Sequence, residues 1–145
     1  MEAVAWILII GAGLWFFSHV RRGYRGEDQP TLTHRGSGSY RVQVVGESNY
    51  QRALERICGG RTEDGAEKYI TAALVLEDSN PYDKHAVRVD IDGSTVGYLS
   101  RDAAKAYRTR FKSNGGRAEC PALIRGGWDR GGKDKGHFGV LLDLE

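Results

Sequence analysis

Cysteine is scarce in this chain: Cys58 and Cys120 are the only two among 145 residues, too few and too far apart for a disulfide framework. With no CxxC spacing and no histidine near either at ligand spacing, they read as buried thiols of a reducing compartment. A charge excess is also missing. Lys plus Arg number 21 against 19 Asp plus Glu, and residues 1–39 hold four of those bases and three of those acids, leaving 17 against 16 beyond them. A protein that coats duplex DNA through many phosphates is strongly basic, so any nucleic-acid role here has to be local and geometric. Catalytic constellations are lacking too. His85 and His137 lie in or beside expected turns, and no nucleophile, base and orienting group assemble around either. The four scattered histidines make no ligand set. The expectation is a protein without catalytic residues, metal or cofactor. Gly127 to Lys133 spells G-x-x-x-x-G-K, but Asp134 follows where a phosphate-binding loop needs Ser or Thr, so a hairpin loop is expected there. No internal repeat is present.

What the chain has is, first, an apolar run. Ala3 to Val20 carries no formal charge, and as a helix it would span roughly 27 Å, close to a bilayer's hydrocarbon core. Trp6 near one end, Trp15, Phe16 and Phe17 near the other, and then Arg21, Arg22 and Arg25 fit an anchor obeying the positive-inside rule. A cleaved signal peptide would want a basic start and a small-x-small cleavage site, and neither is there. A buried helix of the globular domain would want a polar face. Residues 1–20 are therefore expected to be a single-pass transmembrane signal anchor of the cell membrane, with the rest facing the cytoplasm. Residues 21–39, polar and rich in Gly and Ser, read as a flexible juxtamembrane linker.

The folded domain is expected over residues 40–145. "YRVQVVG" reads as a strand, and Tyr50, Ala53, Leu54 and Ile57 share one face of a helix that Gly59 and Gly60 end. "KYITAALVLED" is rich in strand formers. In "AVRVDI" Val87, Val89 and Ile91 alternate with Arg88 and Asp90, a period of two, and Asp92-Gly93 signals a hairpin into "TVGYL". Ser100 and Asp102 open a second helix reaching about Ser113, with Ala104, Tyr107 and Phe111 along one side. "AECPALIRG" and "HFGVLLDLE" close the chain as two strands. The fold class that follows is mostly β with two α-helices, a small six-stranded antiparallel barrel of OB/SH3-like form behind the N-terminal transmembrane helix.

Two patterns point to binding. Arg101, Lys105, Arg108 and Lys112 recur at i, i+4, i+7 and i+11 on the second helix, a basic stripe that is either solvated surface or a track for phosphates. Rings at Tyr50, Tyr82, Tyr98 and Trp128 would let single-stranded bases stack beside it, a contact worth about 1–3 kcal/mol per base. "NPYDKHAV", residues 80–87, puts a ring and a carboxylate on a proline-stiffened turn, which is either turn chemistry alone or one wall of a site.

The stretch "EDSNPYDKHAVRVDIDGSTVGYLSRDAA", with "VVGESNYQ" upstream, resembles the HIRAN domain family. Its pattern N-P-Y-D-x-x-A-[IV]-x-V followed by G-x-x-[VI]-G-[YH]-L is matched by Asn80, Pro81, Tyr82, Asp83, Ala86, Val87, Val89, Gly93, Val96, Gly97, Tyr98 and Leu99. The resemblance implies a barrel whose pocket takes the 3′-hydroxyl end of single-stranded DNA. It implies that Asp83 accepts a hydrogen bond from that hydroxyl and that Tyr82 packs on the terminal nucleotide. Tyr98 and Arg101 then match positions near the DNA backbone, and Trp128 a ring that stacks on a base. Ser48 and Asn49 depart from the pattern, standing where a cation and a stacking ring occur in the family. Expected partners are single-stranded DNA or its 3′ ends, the membrane through residues 3–20, and a protein supplying helicase or nuclease activity. The competing expectations are a protein-interaction or adaptor domain on the same barrel, and an enzyme of unrecognised type.

Overall fold

Strands and helices follow from the pattern nearly everywhere in the computed structural model of the chain, which describes residues 32–111 and 116–144. The strands are β1 (Leu32–Thr33), β2 (Val42–Gln43), β3 (Ala66–Leu76), β4 (Val87–Ile91), β5 (Ser94–Tyr98), β6 (Arg117–Gly126) and β7 (Phe138–Leu142). The helices are α1 (Gln51–Ile57) and α2 (Arg101–Phe111), with a single 3-10 turn at Glu47–Asn49 before α1. Period-two burial is complete in β4, where Val87, Val89 and Ile91 are buried between half-buried Arg88 and Asp90. Asp92 and Gly93 both have positive φ, 48° and 72°, which gives the hairpin twist that joins β4 to β5. After α1, Gly59 donates to the Arg56 carbonyl and Gly60 to the Glu55 carbonyl, a left-handed glycine cap. Ser100 caps α2, its Oγ accepting from the Ala103 amide at 3.3 Å.

The sheet runs β2-β7-β6-β3-β4-β5 through antiparallel neighbours, so the six expected strands are all present. It curls into a half-barrel around a core that includes Val44, Leu54, Leu74, Val89, Val96, Ile124, Phe138 and Leu142. A barrel hydrogen-bonded all round is not what forms. The two ends of the path meet through one residue pair, Val45 and Tyr98, which exchange backbone hydrogen bonds of 2.8 and 3.0 Å.

That closure depends on a bulge. Asp90 pairs with Thr95 and Val89 with Gly97, leaving Val96 as the extra residue in β5. Thr95 and Tyr98 consequently share the outer face although they are three positions apart, and Val96 turns into the core. Gly97 has φ 153°, and a Cβ built on it would stand 2.4 Å from Val44 Cγ1 and 2.6 Å from the Val45 carbonyl oxygen. Only a residue without a side chain lets β2 come this close.

Two expectations need correction. Residues 32–39 were expected within a flexible linker, yet they are built into the fold: β1 pairs in parallel with β6, and Ser37, Gly38 and Ser39 bond the buried carboxylate of Asp143. The reason is a partner more than 100 positions away, beyond the reach of local composition. Cys58 is half-buried, and only Cys120 is buried. Gly127 to Lys133 lies, as expected, in the β6–β7 hairpin connection, where Lys135 Nζ sits 3.1 Å from Asp129 and β7 follows. The expected anchor at residues 1–20, and the linker before residue 32, lie outside the described residues. Among the described residues no helix is long and apolar enough to cross a membrane.

Candidate nucleic-acid interface

The NPYD turn is held by its own side chains. Asn80 Oδ1 accepts from the amides of Tyr82 (2.9 Å) and Asp83 (3.0 Å), spanning Pro81, which has no amide to offer. Asp83 Oδ1 then accepts from the His85 amide at 2.9 Å, and the Ala86 amide donates to the Asp83 carbonyl at 3.0 Å. Two short polar side chains thus satisfy a turn that a glycine pair would leave to water. The consequence is a rigid platform from which Tyr82 projects, 93% exposed. Asp83 keeps 28% of its side chain exposed, and its Oδ2 makes no hydrogen bond among the described residues. The two readings of Asp83, turn former and open carboxylate, are compatible because they use different oxygens.

Behind the turn, the outer face of β4 and β5 carries a polar cluster. Arg88 and Tyr98 are cross-strand neighbours, so their side chains leave the sheet on the same side. Arg88 reaches Asp90 through Nε and Nη2, at 3.0 Å each, and Glu77 through Nη1 at 3.2 Å. Glu77 also accepts from Asn80 Nδ2 at 3.1 Å, and the Tyr98 hydroxyl interacts with the side chains of both Glu77 and Tyr50. Three of the expected site residues, Tyr50, Asn80 and Tyr98, therefore meet around Glu77. Sequence reasoning did not select Glu77, because an acid at the end of a strand looks like ordinary surface. The signal was its position three residues before Asn80, which caps the same loop.

Burial, then the charge on Glu77 and the neighbouring Tyr50, pushes the Tyr98 hydroxyl up to about 12. Burial likewise raises Tyr107 and the Cys120 thiol to about 12, from ordinary values of 10.0 and 9.0. The sign follows directly: the folded chain keeps protons that the unfolded chain has already lost. Stability should hold below pH 9 and fall as pH rises from about 9 to 12. Denaturant midpoints across that range, beside tyrosinate absorbance, check this. A Tyr98→Phe chain should lose less stability in that interval, and an unchanged alkaline slope counts against the assignment.

Helix α2 flanks the platform. Arg108 was expected on a solvent-facing basic stripe, but the structure turns it inward. Its Nε and Nη2 donate to the carbonyls of His85 and Ala86, 2.8 Å each, while Nη1 pairs with Asp78. The guanidinium closes the C-terminal side of the turn: it gives the His85 carbonyl its donor and adds a second to the Ala86 carbonyl, which also accepts from the Glu77 amide at 3.0 Å. Arg108→Ala should therefore cost about 1–3 kcal/mol, chiefly the penalty of leaving the His85 carbonyl without its donor. Arg108→Lys should recover only part of it, since an ammonium cannot fork across two carbonyls; urea unfolding of both variants checks the order. Arg101 and Lys105 remain exposed and make no side-chain hydrogen bond or ion pair among the described residues. Arg101 sits about 20° round the helix from Arg108 and roughly 10 Å along it, hence on the flank that meets the turn. Lys112, the fourth member of the stripe, is outside the described residues.

Trp128 does not join this cluster. It follows the Gly126 end of β6, which pairs with Ala66 at the start of β3, whereas the NPYD turn comes after the end of β3. Its indole donates to Asp134 at 3.1 Å, and Arg130 lies over the ring at 5.8 Å. Residue type alone, a ring in a loop, does not reveal that separation. The site that does form has an exposed ring, a carboxylate platform, two linked tyrosine hydroxyls and two free cations on the adjoining helix.

Comparison with known proteins fits this geometry. The family model of the HIRAN domain matches residues 37–122, more than half of the chain, and the chain belongs to that family. The match takes in Tyr50, Asn80, Tyr82, Asp83, Tyr98, Arg101 and Lys105, and it ends before Trp128. It begins at Ser37, inside the stretch first expected to be linker. No curated protein and no solved structure matches the chain.

Proposed function

We propose that this HIRAN-domain protein is a nucleic-acid-binding module without catalysis of its own, and that it captures single-stranded DNA at a 3′-hydroxyl end. The observation that carries this reading is the NPYD platform. One rigid turn presents a ring exposed over 93% of its surface beside a carboxylate oxygen that the turn does not use. A base or sugar stacks on Tyr82, a terminal hydroxyl donates to Asp83 Oδ2, and internal phosphates lie along Arg101 and Lys105. Near neutrality of net charge agrees with a small footprint, since two cations give a shallow salt dependence and not the steep one of a duplex-coating protein.

The test is titration of the full chain with short single strands ending in a 3′-hydroxyl or a 3′-phosphate, at one fixed salt concentration. Hydroxyl ends should bind more tightly. A hydrogen bond to a charged acceptor is worth about 1.5–3 kcal/mol, so Asp83→Asn should weaken hydroxyl ends about tenfold or more. Because asparagine still offers Oδ1 to the His85 amide, its melting curve should stay within about 0.5 kcal/mol of the parent. Equal binding of both ends by the parent chain would instead favour an adaptor domain that takes a protein partner on the same half-barrel. The apolar segment over residues 3–20 would hold the module at the cell membrane, domain inward, and fractionation with protease protection reads that directly. Any helicase or nuclease step then belongs to a partner protein.

A further inference from the structure

The β4–β5 outer wall carries more negative charge than the end-capture reading requires. Glu77, Asp83 and Asp90 are three carboxylates; among the described residues Arg88 bonds Glu77 and Asp90, and His85 Nδ1 lies 3.8 Å from Asp83 Oδ1. Glu77 is 23% exposed and Asp83 28%, so both carboxylates reach solvent. They are joined through one side chain: Asn80 donates to Glu77 with Nδ2 and accepts from the Asp83 amide with Oδ1. Two hydroxyls stand beside Glu77, since Tyr98 interacts with both Glu77 and Tyr50.

We propose that Glu77 is a second specificity-determining residue of this site, acting with Asp83 to admit a hydroxyl end and to reject a terminal phosphate. The proposal rests on the end-capture reading and goes beyond it. A terminal phosphate brings up to two negative charges to a wall where three carboxylates stand against one guanidinium, whereas a sugar hydroxyl brings a donor to carboxylate acceptors. Discrimination of this kind is built from repulsion as much as attraction. Arg101 and Lys105 lie on the helix flank and not on this wall, so internal phosphates are accommodated while a terminal one is not. Asp83 alone would discriminate by its hydrogen bond; the pair discriminates by charge, and charge is screened by salt.

The experiment measures the ratio of affinities for 3′-hydroxyl and 3′-phosphate oligonucleotides in the full chain, its Glu77→Gln and Asp83→Asn variants and the double variant, at low and high salt. Glu77→Gln should lower the ratio about five- to tenfold, chiefly through tighter phosphate-end binding, and should flatten its salt dependence. Glu77→Asp should keep most of the ratio. A purely structural Glu77 would lower both affinities together and leave the ratio alone, which overturns the proposal. If Glu77→Gln fails to fold, Asp83→Asn decides. A salt-dependent preference surviving in it supports Glu77, and a preference wholly abolished shows that Glu77 contributes none. A parent chain that binds both ends equally defeats the end-capture reading, and the proposal falls with it. A parent that discriminates while Glu77→Gln discriminates equally well defeats the proposal alone.

Discussion

Gly97→Ala should destabilise the domain by roughly 2–5 kcal/mol and remove end binding with it. Two terms add. The added methyl group would meet Val44 Cγ1 at 2.4 Å and the Val45 carbonyl oxygen at 2.6 Å, and the second is backbone that cannot rotate away. The φ of 153° is also one that a residue with a Cβ adopts only under strain. Relief requires the Val44–Val45 segment after β2 to retreat, which breaks the Val45–Tyr98 exchange that closes the half-barrel among the described residues. Tyr98 is the residue on the far side of that exchange, so its hydroxyl leaves Glu77 and Tyr50 as the barrel opens. Gly139→Ala supplies the contrast, because nothing lies within 4 Å of a Cβ there and its φ is ordinary for any residue. It should change stability by no more than about 0.5 kcal/mol. Urea unfolding of both variants, with oligonucleotide titration, checks the pair; a Gly97→Ala chain as stable as the parent would show that the closure bears no weight.

Gly97 belongs to the part of the fold that was legible. The run G-x-x-V-G-Y-L reads as a returning strand, and period-two burial in β4, the Asp92-Gly93 hairpin and the Ser100 cap each came from residues within a few positions of one another. Local chemistry decided those elements, and local chemistry is what a sequence displays. The same holds for the NPYD turn, whose ring and carboxylate lie where expected. What escaped was set by distant partners. Arg108 has the spacing of a surface stripe, and only the carbonyls of His85 and Ala86, more than 20 positions upstream, turn it inward. Glu77 gains its role from Tyr98 and Arg88 on other strands. Trp128 had the right ring and the wrong end of β3. In residues 32–39 glycine and serine signalled conformational freedom, but the same small residues are what fit against Asp143: a Cβ on Gly36 would fall inside its carboxylate.

That last contact carries the second large expectation, that a chain starting at residue 40 will be less stable than one starting at residue 32 by about 3–5 kcal/mol. Truncation removes the β1 pairing to β6, including the 2.7 Å bond from the His34 amide to the Glu119 carbonyl, and the packing of the His34 ring on Phe111 at 4.5 Å. The segment also covers Asp143: 1% exposed beneath it, the carboxylate would lose the amides of Gly38 and Ser39 and the hydroxyl of Ser37 and open to water. The pH response should fade with it. In the longer chain burial raises the Asp143 pKa, but bonds from Gly38, Tyr40 and Ser37 outweigh burial and set it below the ordinary 3.8. Its contribution is therefore present above that value and lost as pH falls through the lower, folded one. In the shorter chain the carboxylate keeps fewer of those bonds, its folded pKa moves back toward the ordinary value, and the acid-linked loss shrinks. Asp143→Asn should accordingly destabilise the longer chain and leave the shorter one nearly unchanged, a difference that separates the carboxylate's bonds from the lost packing. Equal melting of the two chains at neutral pH would place the domain boundary back at residue 40, and an Asp143→Asn effect of equal size in both would assign the loss to β1 and His34 instead.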